Sequence, residues 1–188
     1  KDAKKIVVVG AGYIGVELAE AFEMNGKEVV LVDGETRIMP KYLDPEFTAL
    51  AEGEFTRHGI KLALGQKVKG FKVNGDYATH IVTDKEEFEA DLIIMCIGFR
   101  PNSALYQGHL DTTPNGAIIV NEYMQSSNKD VYACGDCVNV FYNPTDEYIY
   151  IPLATNAVRM GALVGLNIVE NKIKYQGTQG TSGIKIYD

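Results

Sequence analysis

With 188 residues, 46% of them apolar and 23% charged, the chain has the composition of a globular protein able to bury a core. A net charge of −7 without a lysine or arginine cluster speaks against a nucleic-acid surface. No apolar run approaches the ~18 residues of a membrane span and no charged-then-apolar leader opens the chain, so no membrane partner is expected. The cysteines Cys96, Cys134 and Cys137 are an odd set, form no disulfide framework and suit a reducing, cytoplasmic setting. The first residue is Lys1 rather than Met, and Ile184–Asp188 alternates as a strand would. Both ends therefore read as cuts in a longer protein.

In chain order, Ile6-Val-Val-Val9 is a continuous apolar run ending at glycine, the pattern of a strand buried on both faces. From Tyr13 to Asn25 the spacing of Ile14, Leu18, Ala21 and Phe22 predicts a helix, with Gly26 placed to end it. Glu28–Asp33 reads as a second buried strand, completing a strand–helix–strand unit. Asp44 and Pro45 open a second helix whose predicted face is Phe47, Leu50 and Phe55 and whose end is Gly59. Ile60–Leu64 is expected as a third strand. Lys67–Ala90 alternates around turns at Asn74-Gly75 and Asp84-Lys85 and predicts an antiparallel meander in place of a crossover helix. Leu92–Ile97 returns as a buried parallel strand ending at Gly98.

Beyond Pro101 the pattern changes. Asn115-Gly116 marks a turn before Ala117–Val120, Val131–Cys134 reads as a short strand running into Gly135-Asp136, and Asn156–Asn171 predicts a small-residue helix. These elements lack a complete sheet. The fold class expected is α/β, a Rossmann-like parallel sheet with an antiparallel β-meander crossover followed by a partial second segment.

The chemistry concentrates at Gly10-Ala-Gly12-Tyr-Ile-Gly15. A bare G-x-G-x-x-G is weak evidence, but this one follows a buried strand and opens a helix. In that setting Gly10 permits a tight turn, Gly12 lets a diphosphate approach the backbone, and Gly15 lets helix and strand pack closely. The free N–H groups and partial positive charge of the helix start suit an anion. The competing reading is a plain strand-to-helix turn. Asp33 lies 23 residues after Gly10 at the end of the second strand. A carboxylate there accepts from ribose hydroxyls and disfavours a 2′-phosphate, which points to NAD over NADP; the alternative is a solvated strand-end carboxylate. Cys134-Gly-Asp-Cys137 admits three readings: a redox pair, half of a metal site, or incidental cysteines flanking a functional Gly-Asp. His58, His80 and His109 have no ligand spacing, so no metal is expected.

Together these motifs resemble the flavin-dependent pyridine nucleotide–disulfide oxidoreductases, and within them the NADH oxidase and NADH peroxidase group. The likeness rests on Gly10–Phe22, Asp33, Tyr42–Phe47, Ile97–Asn102, Cys134–Asp136 and Ile151–Arg159, in that order. It implies a NAD-binding domain over residues 1–101, the second segment of a FAD-binding domain over 102–171, and the start of a dimerisation domain over 172–188. By the same likeness Tyr13 and Ile14 line the dinucleotide, Glu17 sits near the nicotinamide end, Tyr42 covers the adenine, and Gly98 lets nicotinamide approach the flavin. Asp136 would hold the ribityl chain, with Pro152, Leu153 and Ala154 offering backbone groups to the isoalloxazine. No catalytic residue is expected here: the family's catalytic cysteine belongs to an N-terminal FAD segment that this sequence lacks. The implied activity of the intact, homodimeric enzyme is hydride transfer from NADH to FAD for reduction of oxygen. NADH peroxidase and coenzyme A–disulfide reductase are alternatives, as is a non-catalytic nucleotide-binding or redox-sensing module using Cys134 and Cys137.

Overall fold

The computed structural model describes residues 2–170 and 173–187. The chain separates into two compact units, one formed by residues up to Gly98 with the tail from Gly183, the other by Phe99–Ser182.

The first unit contains β1 (Lys5–Val9), α1 (Tyr13–Met24), β2 (Glu28–Val32), α2 (Pro45–Arg57), β3 (Lys61–Ala63), β4 (Val68–Asn74), β5 (Tyr77–Thr83), β6 (Glu87–Glu89) and β7 (Leu92–Met95). Four strands form a parallel sheet in the order β3-β2-β1-β7, and β4-β5-β6 form an antiparallel sheet. The meander thus carries the chain from β3 to β7, as the sequence predicts. Strand β1 is central, with Val7 opposite Val30 on one side and Ile93 on the other. Its residues alternate between two cores. Ile6 and Val8 pack with Val16, Ala19, Leu31 and Phe55 against the helices. Val7 and Val9 pack with Ile81 and Phe88 on the meander side. Each buried Val or Ile contributes about 1.5–3 kcal/mol by leaving water, so a four-residue run buried on both faces fixes the strand.

Three expectations need correction. The buried face of α1 is Gly15, Val16 and Ala19, and Ile14 stays 44% exposed. Small residues win that face because the helix start presses on the backbone of the Gly10 turn. In α2 the buried residues are Thr48, Ala51 and Phe55, while Phe47 and Leu50 are exposed. Strand β7 ends at Met95 rather than Ile97 and lies at the sheet edge, so Leu92 and Met95 are exposed instead of buried. An apolar run reports burial only where both faces of the strand are covered.

The second unit holds a 3-10 turn at Ala104–Tyr106, a hairpin of β8 (Val140–Tyr142) and β9 (Glu147–Ile149), and α3 (Ala154–Asn167). Its core is Leu110, Ile118, Val120, Met124, Val138, Val140 and Met160. The apolar run Ala117–Val120 and the expected strand at Val131–Cys134 form only isolated bridges, Ile118 to Thr112 and Val138 and Tyr132 to Gln125, since no neighbouring strand extends their ladders. Helix α3 begins two residues before the expected Asn156. Asn171, expected as both helix end and segment boundary, lies outside the described residues. Ile184–Tyr187 is no strand: Tyr187 takes φ 51° and its backbone N–H donates to Glu20 Oε1 at 2.7 Å. Asp188, the last residue of that expected strand, also lies outside the described residues. Among the described residues no helix is long and apolar enough to cross a membrane.

Candidate nucleotide site at the glycine turn

The site is built where parallel strands end. Gly10 leaves β1 with φ 105°, and its N–H donates to Val32 O at 2.8 Å, tying the turn to β2. A Cβ on Gly10 would overlap the Cys96 carbonyl oxygen and lie 2.7 Å from its carbon. A Cβ on Gly15 would overlap the Gly10 carbonyl oxygen. These two glycines let three backbone segments meet. Gly12 differs, because a Cβ there meets nothing within 4 Å. It is the N-cap of α1, carries no side-chain cap, and lines a cavity of about 470 Å³. That volume falls within the range of small-molecule sites, and an uncapped helix start at its wall suits an anionic ligand.

Asp33 braces this wall. Its Oδ2 accepts from the Ala11 N–H at 2.5 Å and its Oδ1 from the Glu35 N–H at 2.8 Å. One carboxylate therefore joins the glycine turn to the loop after β2 and keeps lone pairs for a ligand. The same loop is pinned by Met39 N–H to Ala11 O at 2.8 Å, and the Tyr42 ring lies 4.5 Å from that of Tyr13.

Of the residues singled out in the sequence, Gly10, Gly12, Asp33, Tyr42 and Gly98 line the cavity. Tyr13 joins them through its ring contact with Tyr42, and Gly15 sits beneath the turn. Ile14 and Glu17 lie on α1 outside the lining. The sequence did not single out Glu35, Lys41, Gln66, Lys67 or Cys96, which also line it. A general signal was available: in a parallel sheet ligands bind outside the carboxyl ends of the strands, so the residues following β3 and β7 belong with those following β1 and β2. Burial pushes the Cys96 thiol above its ordinary pKa, which keeps it protonated and a poor nucleophile.

In the second unit Asp136 follows Gly135, which takes φ 81°. The Cys137 Sγ–H donates to Cys134 O at 3.3 Å, and burial pushes both thiols up. Both are free cysteines. Among the described residues no group of His, Cys, Asp and Glu could hold a metal ion. Leu153, which follows Pro152, is the N-cap of α3 without a side-chain cap, and Ala154 is the first residue of the helix. In the first turn of that helix Asn156 Nδ2 is buried without a hydrogen-bond partner among the described residues.

Comparison with known proteins gives this geometry its context. The pyridine nucleotide-disulphide oxidoreductase family pattern matches residues 1–161. An NADH oxidase of Enterococcus faecalis is 55% identical over the whole chain, which spans 42% of that protein's length. A water-forming NADH oxidase from Lactobacillus brevis, solved bound to NADH, is 53% identical with a TM-score of 0.94, covering 99% of this chain and 41% of that one. An engineered variant of that enzyme, a water-forming NADPH oxidase bound to NADPH, is 51% identical, also with a TM-score of 0.94 and with 99% and 41% covered. The matched residues include the Gly10–Gly15 turn, Asp33 and the strand-end loops that enclose the cavity, and the chain belongs to the pyridine nucleotide-disulphide oxidoreductase family.

Proposed function

We propose that this chain is the NAD(H)-binding part of an FAD-dependent NADH oxidase, in which hydride from NADH is used to reduce oxygen. The observation that carries the reading is the Asp33 carboxylate braced against the Gly10–Gly12 turn at the rim of a cavity of about 470 Å³. The likeness to NADH oxidases supports the choice of donor and acceptor. Gly12 and the start of α1 would receive the diphosphate, Asp33 the adenosine ribose, Tyr42 with Tyr13 the adenine, and Gly98 the nicotinamide end. Ile14 and Glu17 are assigned to the same dinucleotide on the family likeness alone.

Residues 1–101 would form the NAD-binding domain, 102–171 the second flavin-domain segment, and 172–188 the start of a dimerisation domain. The second unit has features that fit a flavin: an uncapped helix start at Leu153 and Ala154, a buried Asn156 Nδ2 without a partner among the described residues, and the Asp136 carboxylate. A bound flavin would supply the two-electron acceptor for the hydride. Asp136 would hold its ribityl hydroxyls, and the α3 N-terminus, with Pro152 before it, would favour electron density gained on reduction. The relative engineered for NADPH belongs to the same frame, so the backbone around the adenosine end admits either nucleotide and side chains decide between them.

Calorimetric titration of the chain tests the reading. Saturable, one-to-one binding of NADH is expected, with FAD bound far more weakly because the chain spans 42% of the length of its NADH oxidase relative. Absence of NADH binding, or tight stoichiometric FAD binding, would overturn it.

A further inference from the structure

The loop after β3 meets the nucleotide cavity on one side and the meander on the other. On the cavity side it holds the backbone of Asp33: the Asp33 N–H donates to Ala63 O at 3.2 Å, and the Gln66 N–H donates to Asp33 O at 2.9 Å. The Gly65 N–H donates to Glu35 O at 2.7 Å, two residues further along. On the meander side its partners belong to the turn between β5 and β6. Gln66 and Thr83 are both buried, and the Thr83 hydroxyl lies 2.8 Å from Gln66 Oε1. The other end of that amide, Gln66 Nε2, donates to Glu86 Oε1 at 2.8 Å. The Lys67 N–H donates to Asp84 Oδ1 at 2.9 Å, and the Asp84 N–H donates back to Lys67 O at 3.0 Å. The second Glu86 oxygen, Oε2, accepts from Lys61 Nζ at 2.9 Å in a half-exposed ion pair.

We infer that Glu86 is a positioning residue for nucleotide binding: through the Gln66 amide it holds Asp33 where the adenosine ribose must meet it. The inference rests on the NAD(H) reading above and adds to it a residue that does not line the cavity. A buried amide is costly to leave without its hydrogen bonds. With Glu86 truncated, the Gln66 side chain turns toward another acceptor or toward water, and its backbone N–H moves with it. That N–H holds the Asp33 carbonyl, so the carboxylate loses its fixed place beside the Gly10–Gly12 turn. A carboxylate that accepts from ribose hydroxyls must keep its geometry to within about 0.5 Å. The meander is thus more than a crossover from β3 to β7. Its β5–β6 turn is the back-plate of the ribose site.

The test is fluorescence titration of the full chain with NADH, well below the melting temperature of each variant. Glu86→Ala should weaken NADH binding on the order of tenfold. Glu86→Gln keeps an oxygen for Gln66 Nε2, and Lys61→Met removes only the ion pair; both should stay within about twofold of the parent. Because the effect passes through Asp33, Glu86→Ala should cost nothing further when added to Asp33→Ala. Parent-like affinity in Glu86→Ala, an equal loss in Glu86→Gln or Lys61→Met, or a full further loss in the Asp33→Ala background would each overturn the inference. Should Asp33→Ala not fold, the comparison of Glu86→Ala with Glu86→Gln decides alone. Absence of NADH binding by the parent chain would overturn the nucleotide reading and this inference with it, a result distinct from parent-like binding by Glu86→Ala.

Discussion

Two glycines of one turn should fail in opposite ways. In Gly10→Ala the new Cβ meets the Cys96 carbonyl, 2.7 Å from its carbon, at a φ of 105° that side chains rarely adopt. Overpacking against backbone costs about 1–3 kcal/mol and a left-handed residue about 1–2 kcal/mol more, so a loss near 3 kcal/mol is expected. For a domain of about this size that lowers Tm by roughly 12–24 °C. In Gly12→Ala nothing lies within 4 Å of the new Cβ, so Tm should stay within about 2 °C of the parent. The methyl group stands instead where the diphosphate must approach the backbone, and NADH affinity should fall about tenfold or more. Thermal melts followed by circular dichroism, paired with NADH titration, read both effects. A Gly10→Ala melt like the parent's, or parent-like NADH affinity in Gly12→Ala, would refute the division of labour between the two positions.

Other consequences are open to measurement. Asp33→Ala removes the acceptor for two backbone N–H groups, so a loss of about 2 kcal/mol of stability should accompany weaker NADH binding and reduced discrimination against NADPH; unchanged stability would show that the brace is weak. Tyr187 is held neutral by burial and by donating its hydroxyl to Glu23 Oε2 at 3.0 Å, both of which raise its pKa. Because the folded value lies above the unfolded value of about 10, its contribution is complete below that pH and lost as pH rises beyond it. The parent's Tm should therefore fall more steeply above pH 10 than that of Tyr187→Phe, and parallel curves would contradict the assignment. Burial also raises the pKa of Cys134 and Cys137. Their alkylation by iodoacetamide should lag a free thiol at pH 7.5 and accelerate with pH; rapid reaction at neutral pH would restore the redox-pair reading.

The sequence by itself determined the local grammar of the nucleotide unit. Ile6–Val9, the Gly10–Gly15 turn and Glu28–Asp33 specify strand, turn and strand because each element's pattern is complete within about thirty residues. The meander was legible for the same reason, since Asn74-Gly75 and Asp84-Lys85 lie between alternating runs. Burial of the α1 and α2 faces was not, because the helical spacing of Ile14 or Leu50 does not say which neighbour a stripe meets. The exposure of β7 depends on sheet order, a property of no single segment. In the second unit Ala117–Val120 and Val131–Cys134 have strand-forming residues, yet strands require partners and these found only isolated bridges. Tertiary structure alone placed Glu35, Lys41, Lys67 and Cys96 at the cavity, because the ends of four strands distant in sequence converge only when the parallel sheet is assembled. The glycine turn announces a nucleotide, but the cavity around it comes together only through the sheet.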